Sequence, residues 1–401
     1  MCISNSIISS LHNISAEYTE QIKQALVNHR LCLCVGAGIT RTYVGDWNEL
    51  LNSIASLKTF DYLVTQHREL EYQKNQVDDY ISHLETPTFF PSQTDVLEKG
   101  EYWMHDARDD SRYINSKNES SWREVYFATQ VKYAIDVSVH KHLGMMSLED
   151  YFLSKEVGSG STLEALVELC VKGQINDIII YNFDDIVDQL LLSPKVWEFY
   201  HSDPTTAFDP KIHQRSICIY SNHSSEPVYQ ALISSSKPIN IHHVHGLLSN
   251  LIPRIEPIIF SEDSYLRFQS SLLNYSNVKM LELMSECSML CVGFSGDDSN
   301  FRLLCRTIKE SNERTYSSDR KHGIYITRRY SDIRNHFTTL SKGYSLTREQ
   351  HSHLSTACFT TYVEAVTDYF GHLYNVGIVW YPDFSDIAKA LHALANIPGM
   401  G

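Results

Sequence analysis

The chain has 401 residues, 43% of them apolar and 20% charged, which fits a globular protein with a well-filled core, built as one large domain or two ordinary ones. The formal net charge is -14 and no Lys/Arg-rich run occurs, so an extended phosphate-backbone interface, and with it direct nucleic-acid binding, is not expected. No apolar run approaches the ~20 residues of a membrane helix, and MCISNSIISSLHNISAEY at the start lacks the cationic and apolar regions of a secretory signal. A cytoplasmic protein with no membrane contact is the expectation. The nine cysteines are scattered, and Cys32, Cys34 and Cys291 lie inside apolar runs, as buried free thiols do. There is no CxxC pair, hence no four-cysteine zinc site.

The first predicted strand, Leu31–Val35, runs into VGAGIT, where Gly36, Ala37 and Gly38 turn the chain ahead of Thr40. Asp46 and Glu49 have capping-box spacing before Trp47, Leu50 and Leu51, so a helix is expected to follow. A strand–glycine turn–helix unit lets backbone N–H groups approach a phosphate, and the Thr40 hydroxyl adds a donor. A plain tight turn accounts for an isolated GxG equally well. Arg41 stands where a GxGxxG motif would need its last glycine, which disfavours an ordinary dehydrogenase fingerprint. From about residue 58 to 160 no strand-like run appears. DYLVTQHRELEYQ and WREVYFATQVKYAIDVSV have helical patterns, separated by the loop-like ETPTFFPSQ and ARDDSRYINSKNESS. A helical insertion subdomain over 58–160, within a single domain of 1–401, is therefore expected. It would make oligomer or partner contacts or cover the site, with Trp103 and Trp122 in its core.

The second strand, Ile178–Tyr181, passes straight into Asn182-Phe183-Asp184-Asp185 with no Gly, Pro or Ser to mark a surface loop. Ligands of open parallel sheets bind outside the carboxyl ends of strands, so Asn182 and Asp184 are candidate site residues. One of Asp184 and Asp185 is expected to cap the helix IVDQLLL. Residues 193–237 are mixed, with a hairpin expected around SICIYSN. Strand Ile239–Val244 ends in His245-Gly246; alternation puts His243 and His245 on one face, so a two-histidine metal site and a backbone-bonded core histidine are both readings. No cysteine or carboxylate follows at ligand spacing, and no metal is expected. Strand Met289–Phe294 leads into Gly293-Phe294-Ser295-Gly296-Asp297-Asp298, a turn suited to a ribose hydroxyl or phosphate. Asp298 or Ser299 would cap the next helix, with Phe301, Leu304 and Cys305 inward. Strands Gly323–Thr327 and Val376–Tyr381 follow, then SDIAKALHAL, with Ser385 as N-cap and Ile387, Leu391 and Leu394 inward. Short buried strands alternating with helices predict an α/β fold, a Rossmann-like parallel sheet with a helical insertion, whose polar strand ends line one crevice.

The series GAG-I-T, N-F-D, H-G and G-F-S-x-x-D resembles the GAG-I-S, N-x-D, H-G and G-x-S series of the sirtuin family and its bacterial NAD-degrading relatives, over about Leu31 to Tyr381. The resemblance implies NAD as substrate, with Gly36, Ala37, Gly38 and Thr40 on the pyrophosphate. It implies Asn182 beside the nicotinamide ribose, Asp184 facing the carboxamide and His245 as general base near the ribose hydroxyls or the attacking water. Gly293 and Ser295 would contact the adenosine side, with Asp298 near its ribose or acting as a cap. Deacetylase sirtuins carry two zinc-binding CxxC pairs and a GIPDFR-like segment, where this chain has no such pair and RTYVGDW. The resemblance is thus closer to the sirtuin-like NADases of bacterial antiphage defence. It implies an NAD glycohydrolase releasing nicotinamide and ADP-ribose, gated as a homo-oligomer or by a partner such as a HerA-like ATPase or an Argonaute-type sensor. The chemistry suits these residues: cleavage builds charge on the ribose, nicotinamide leaves readily as a neutral ring, and histidine titrates where a base is useful. A non-catalytic NAD- or ADP-ribose-binding subunit of a defence complex, and an ADP-ribosyltransferase or deacylase, are the alternatives.

Overall fold

The computed structural model describes residues 16–44, most of 128–154, 161–201, 209–233, 237–249, 251–252, 258–260, 262–271, 273–314, 323–342 and 345–397. The helix expected after Asp46, with Glu49, Trp47, Leu50 and Leu51, lies outside the described residues, as do Trp103, Trp122 and the expected insertion up to residue 127. Its described end is helical, including Leu148–Ser154.

One sheet of eight strands forms the centre. The strands are β1 (Leu31–Val35), β2 (Asp177–Ile180), β3 (Ile217–Tyr220), β4 (Tyr229–Ala231), β5 (Ile239–His243), β6 (Ser288–Val292), β7 (Ile324–Arg329) and β8 (Val376–Tyr381), in the order β4-β3-β5-β2-β1-β6-β7-β8. All six predicted strands are present, their ends shifted by two residues at most. The expectation of a parallel sheet needs one correction. β3 pairs antiparallel with β4 at the edge, while all other neighbours are parallel. The short connection between β3 and β4 explains it, since a parallel return needs a crossover of roughly a dozen residues or more. This is the hairpin expected around SICIYSN.

Both faces of the central strands are buried, which is why they read as unbroken apolar runs. Leu31, Leu33 and Val35 of β1 belong to one core layer with Ile178 and Ile180 of β2, whereas Cys32, Cys34 and Ile179 belong to the other. The first layer is covered by helices α1 (Thr162–Val171), α2 (Ile186–Leu192) and α7 (Phe384–Ala395). Over the second lie α4 (Tyr275–Glu286), α5 (Ser299–Arg314) and α6 (Arg348–Tyr374), and a further helix, α3 (Glu262–Ser270), follows β5. Ile387, Leu391 and Leu394 face the core as expected. The N-cap of α7 is Asp383 rather than Ser385: the Asp386 carboxylate reaches back to the Asp383 N–H at 3.3 Å, which starts the helix before the serine. No helix among the described residues is long and apolar enough to cross a membrane.

The strand order fixes where a ligand site belongs. From β1 the chain builds one side of the sheet with β2 to β5 and then crosses to build the other with β6, β7 and β8, so the topological switch point falls between β1 and β6. There the two glycine turns press together. The Gly36 N–H donates to the Val292 carbonyl at 3.1 Å and the Gly38 N–H to the Gly293 carbonyl at 2.9 Å. A Cβ on Gly36 would sit 2.5 Å from the Gly293 oxygen and 2.8 Å from the Phe294 Cα. Gly293 itself has φ +63°, which suits only glycine cheaply. Gly36→Ala therefore meets backbone that cannot rotate away, and a destabilisation of about 1–3 kcal/mol is expected in urea unfolding.

Candidate active site

β1 and β2 pair in register up to Val35 and Ile180, and the Tyr181 N–H extends the ladder to the Val35 carbonyl at 2.9 Å. The next residues of each strand consequently meet. The Asn182 Nδ2 donates to the Thr40 Oγ1 at 2.9 Å, and that hydroxyl donates to the Asp184 Oδ2 at 3.1 Å. All three residues are buried. The Thr40 hydroxyl proton is thus engaged by Asp184. The side-chain Oδ1 of Asn182 makes no hydrogen bond among the described residues, and the backbone carbonyl faces His243. Asp184 also accepts the Ile186 N–H at 3.4 Å, while the N-cap position of α2 falls to Asp185, whose side chain makes no capping bond.

Burial, and then the neighbouring Asp185 charge, push the Asp184 carboxyl up to about 6. An acid held above its unfolded value of 3.8 binds more protons in the fold, so its contribution to stability declines as pH rises from about 4 to 6. Above that window the ionised group costs the fold about 1–3 kcal/mol. Asp184→Asn keeps an acceptor for Thr40 and should raise stability at pH 7.5 by that order, with no gain at pH 4, in paired thermal melts.

A second carboxylate lies beneath. Asp188 on α2 is fully buried, and the His243 Nε2 lies 3.1 Å from both of its oxygens. The His243 Nδ1 is 3.4 Å from the Asn182 carbonyl oxygen. Both ring nitrogens face acceptors, an arrangement that favours the doubly protonated ring. Burial opposes that charge, but Asp188 and the Asn182 carbonyl outweigh it and raise the His243 pKa. The expectation that His243 and His245 share a face is corrected. β5 ends at His243, and Gly246, at φ 103°, turns the chain, so each ring finds its own surroundings. Among the described residues there is no cluster of three or more metal-ligating side chains.

His245 packs its ring against Tyr181, Tyr265 and Phe268, at centroid distances of 4.9, 5.6 and 5.9 Å. Its Nε2 is buried without a hydrogen-bond partner and lies 3.4 Å from the Asp298 Oδ2, an ion-pair distance without hydrogen-bond alignment. Asp298 caps α5, accepting the Phe301 N–H at 2.6 Å, and it also accepts the Tyr265 hydroxyl. Burial would raise its pKa, but His245, Tyr265 and the Phe301 amide together hold it below the usual carboxylate value. Tyr181 ties these groups to the rest: its ring touches His245 on one side and lies 4.5 Å from the Phe294 ring, one residue before Asn182. The Phe183 carbonyl accepts the Leu248 N–H at 2.8 Å, joining the N-F-D and H-G turns.

Ala37 and Gly38 are exposed at the edge, and Ser295 is exposed with its hydroxyl accepting the Asp297 N–H at 3.3 Å. Three groupings result: Thr40 with Asn182 and Asp184, His245 with Asp298, and Gly36 and Gly38 with Gly293. All three groupings lie at the carboxyl edge of the sheet, where a ligand of an open parallel sheet binds. Sequence reasoning missed Asp188, Tyr181 and Tyr265. A carboxylate inside IVDQLLL, otherwise apolar apart from Gln189, is a signal for a buried partner; the tyrosines carry none.

Residues 176–352 match the family model of the SIR2-like domain. That stretch contains Asn182, Asp184, His245, Gly293, Ser295 and Asp298, while the β1 turn joins it through strand pairing. The match supports a sirtuin-like family and NAD-dependent chemistry in general. Among curated proteins, none matches the chain.

Proposed function

We propose that the protein is an NAD glycohydrolase that cleaves NAD to nicotinamide and ADP-ribose. One observation carries the reading: at the carboxyl edge a buried Asn182 is braced by Thr40 and Asp184, and the preceding residue, Tyr181, packs its ring on the buried His245. NAD, as substrate, supplies a leaving group that departs as neutral nicotinamide. Asn182 is assigned to the nicotinamide ribose and Asp184 to the carboxamide. His245 takes the proton of a ribose hydroxyl or of the attacking water. Ala37 and Gly38 face the pyrophosphate, and Gly293 and Ser295 the adenosine side. Burial of Asn182, Asp184 and His245 keeps their contacts strong as charge develops.

The order of the motifs supports placing this activity among NAD-depleting effectors of antiphage defence, with control by self-assembly or by a partner of the HerA-like or Argonaute type. Incubation of the purified protein with NAD, with products resolved by chromatography, tests the reading. Equimolar nicotinamide and ADP-ribose are expected. NAD binding without nicotinamide release indicates a binding subunit, and ADP-ribose found on protein indicates transfer instead of hydrolysis.

A further inference from the structure

We propose that Asp298 and Tyr265 are positioning residues for His245: the Asp298 carboxylate faces the ring's Nε2–H, Tyr265 fixes the carboxylate, and Nδ1 is left as the nitrogen that takes the proton. The inference rests on the reading of His245 as the base of NAD cleavage. Four features of the structure support it. The buried His245 Nε2 has no hydrogen-bond partner, and a carboxylate oxygen lies 3.4 Å away. That carboxylate is held from two sides, by the Phe301 N–H on Oδ1 and the Tyr265 hydroxyl on Oδ2. Tyr265 is fixed in turn, its oxygen accepting the Asn300 N–H at 3.0 Å. The ring has little freedom to turn away, because Tyr181, Tyr265 and Phe268 meet it edge-on at interplanar angles of 81°, 76° and 86°.

A neutral imidazole beside an ionised carboxylate places its proton on the nitrogen that faces it and keeps the lone pair on the other. Asp298 is kept ionised by His245 and Tyr265, with a further donor in the Phe301 N–H at the start of the 16-residue α5. When Nδ1 takes a proton, the cation forms next to a charge already in place. Capping alone would explain the Phe301 bond but not the tyrosine on the second oxygen or the proximity to His245. Among the described residues, the titratable groups facing the ring are Asp298, Tyr265 and Tyr181.

The test uses Asp298→Asn, whose side-chain oxygen still caps α5 while the charge is lost, and Tyr265→Phe. In full-length protein labelled with 15N-histidine, with the His245 signal assigned by its absence in His245→Gln, wild type should show the Nε2–H tautomer. In Asp298→Asn the His245 ring should become a tautomer mixture. In the NAD assay, Asp298→Asn should lower kcat at least 10-fold, with Tyr265→Phe doing the same to a smaller extent. An unchanged tautomer in Asp298→Asn overturns the inference, even where activity falls. The two readings fail separately: a wild type that releases no nicotinamide defeats the hydrolase, whereas the NMR arm decides the pairing without any turnover.

Discussion

An Asp188→Ala variant is expected to lose about 3–5 kcal/mol of folding free energy, seen as a lower urea midpoint at unchanged slope. Both members of the Asp188–His243 pair have side chains that are 0% exposed, so neither charge has water to fall back on. Removing one partner leaves the other buried and uncompensated, which costs more than the pair contributes. Replacing both by apolar residues of similar volume should therefore restore most of the loss. The pH sign follows from the raised His243 pKa. The contribution is complete below the ring's ordinary value of 6.5 and is lost as pH rises through the folded value. Wild type should accordingly lose stability on that rise, and a variant lacking both partners should not. The same ring holds the Asn182 carbonyl, so Asp188→Ala should also slow turnover at temperatures where it remains folded.

The second large effect concerns the site itself. His245→Ala should reduce nicotinamide release by about 10²–10⁴-fold, the usual worth of a positioned general base. Asn182→Ala should cost about 10²–10³-fold, as loss of one preorganised polar contact does. Stability should fall by only about 1 kcal/mol in Asn182→Ala, since the bond given up is the one to Thr40. Retained cooperative unfolding with lost turnover, read by circular dichroism beside the assay, separates this from the Asp188 case, where the fold itself weakens.

Much of this arrangement was legible in the chain because parallel strands buried on both faces must be apolar throughout, and LCLCV, DIII and SMLCV are nearly so. Polar residues just past such strands mark the carboxyl edge, which is how Asn182, His245 and Ser295 stand out. The role of glycine in GAG was legible only in part: spacing suggested a phosphate turn, whereas the close approach of Gly36 and Gly38 to Gly293 depends on a contact more than 250 residues away in sequence. Likewise Thr40 is a free hydroxyl on paper and a bridge between Asn182 and Asp184 in space. The pairing of His245 with Asp298 and Tyr265 needs β5, β6 and α3 assembled, and no local pattern encodes it. Alternation misplaced His245 because it assumes an extended strand, and β5 stops two residues earlier.

The most direct test measures NAD binding by calorimetry and nicotinamide release side by side, in wild type and in Asn182→Ala. A wild type that releases nicotinamide, with a variant that binds NAD within a few-fold and turns it over at least 100-fold more slowly, is the predicted result. Equal turnover in the two proteins, or a wild type that binds no NAD, would contradict a cleavage site built on Asn182 at the carboxyl edge of this sheet.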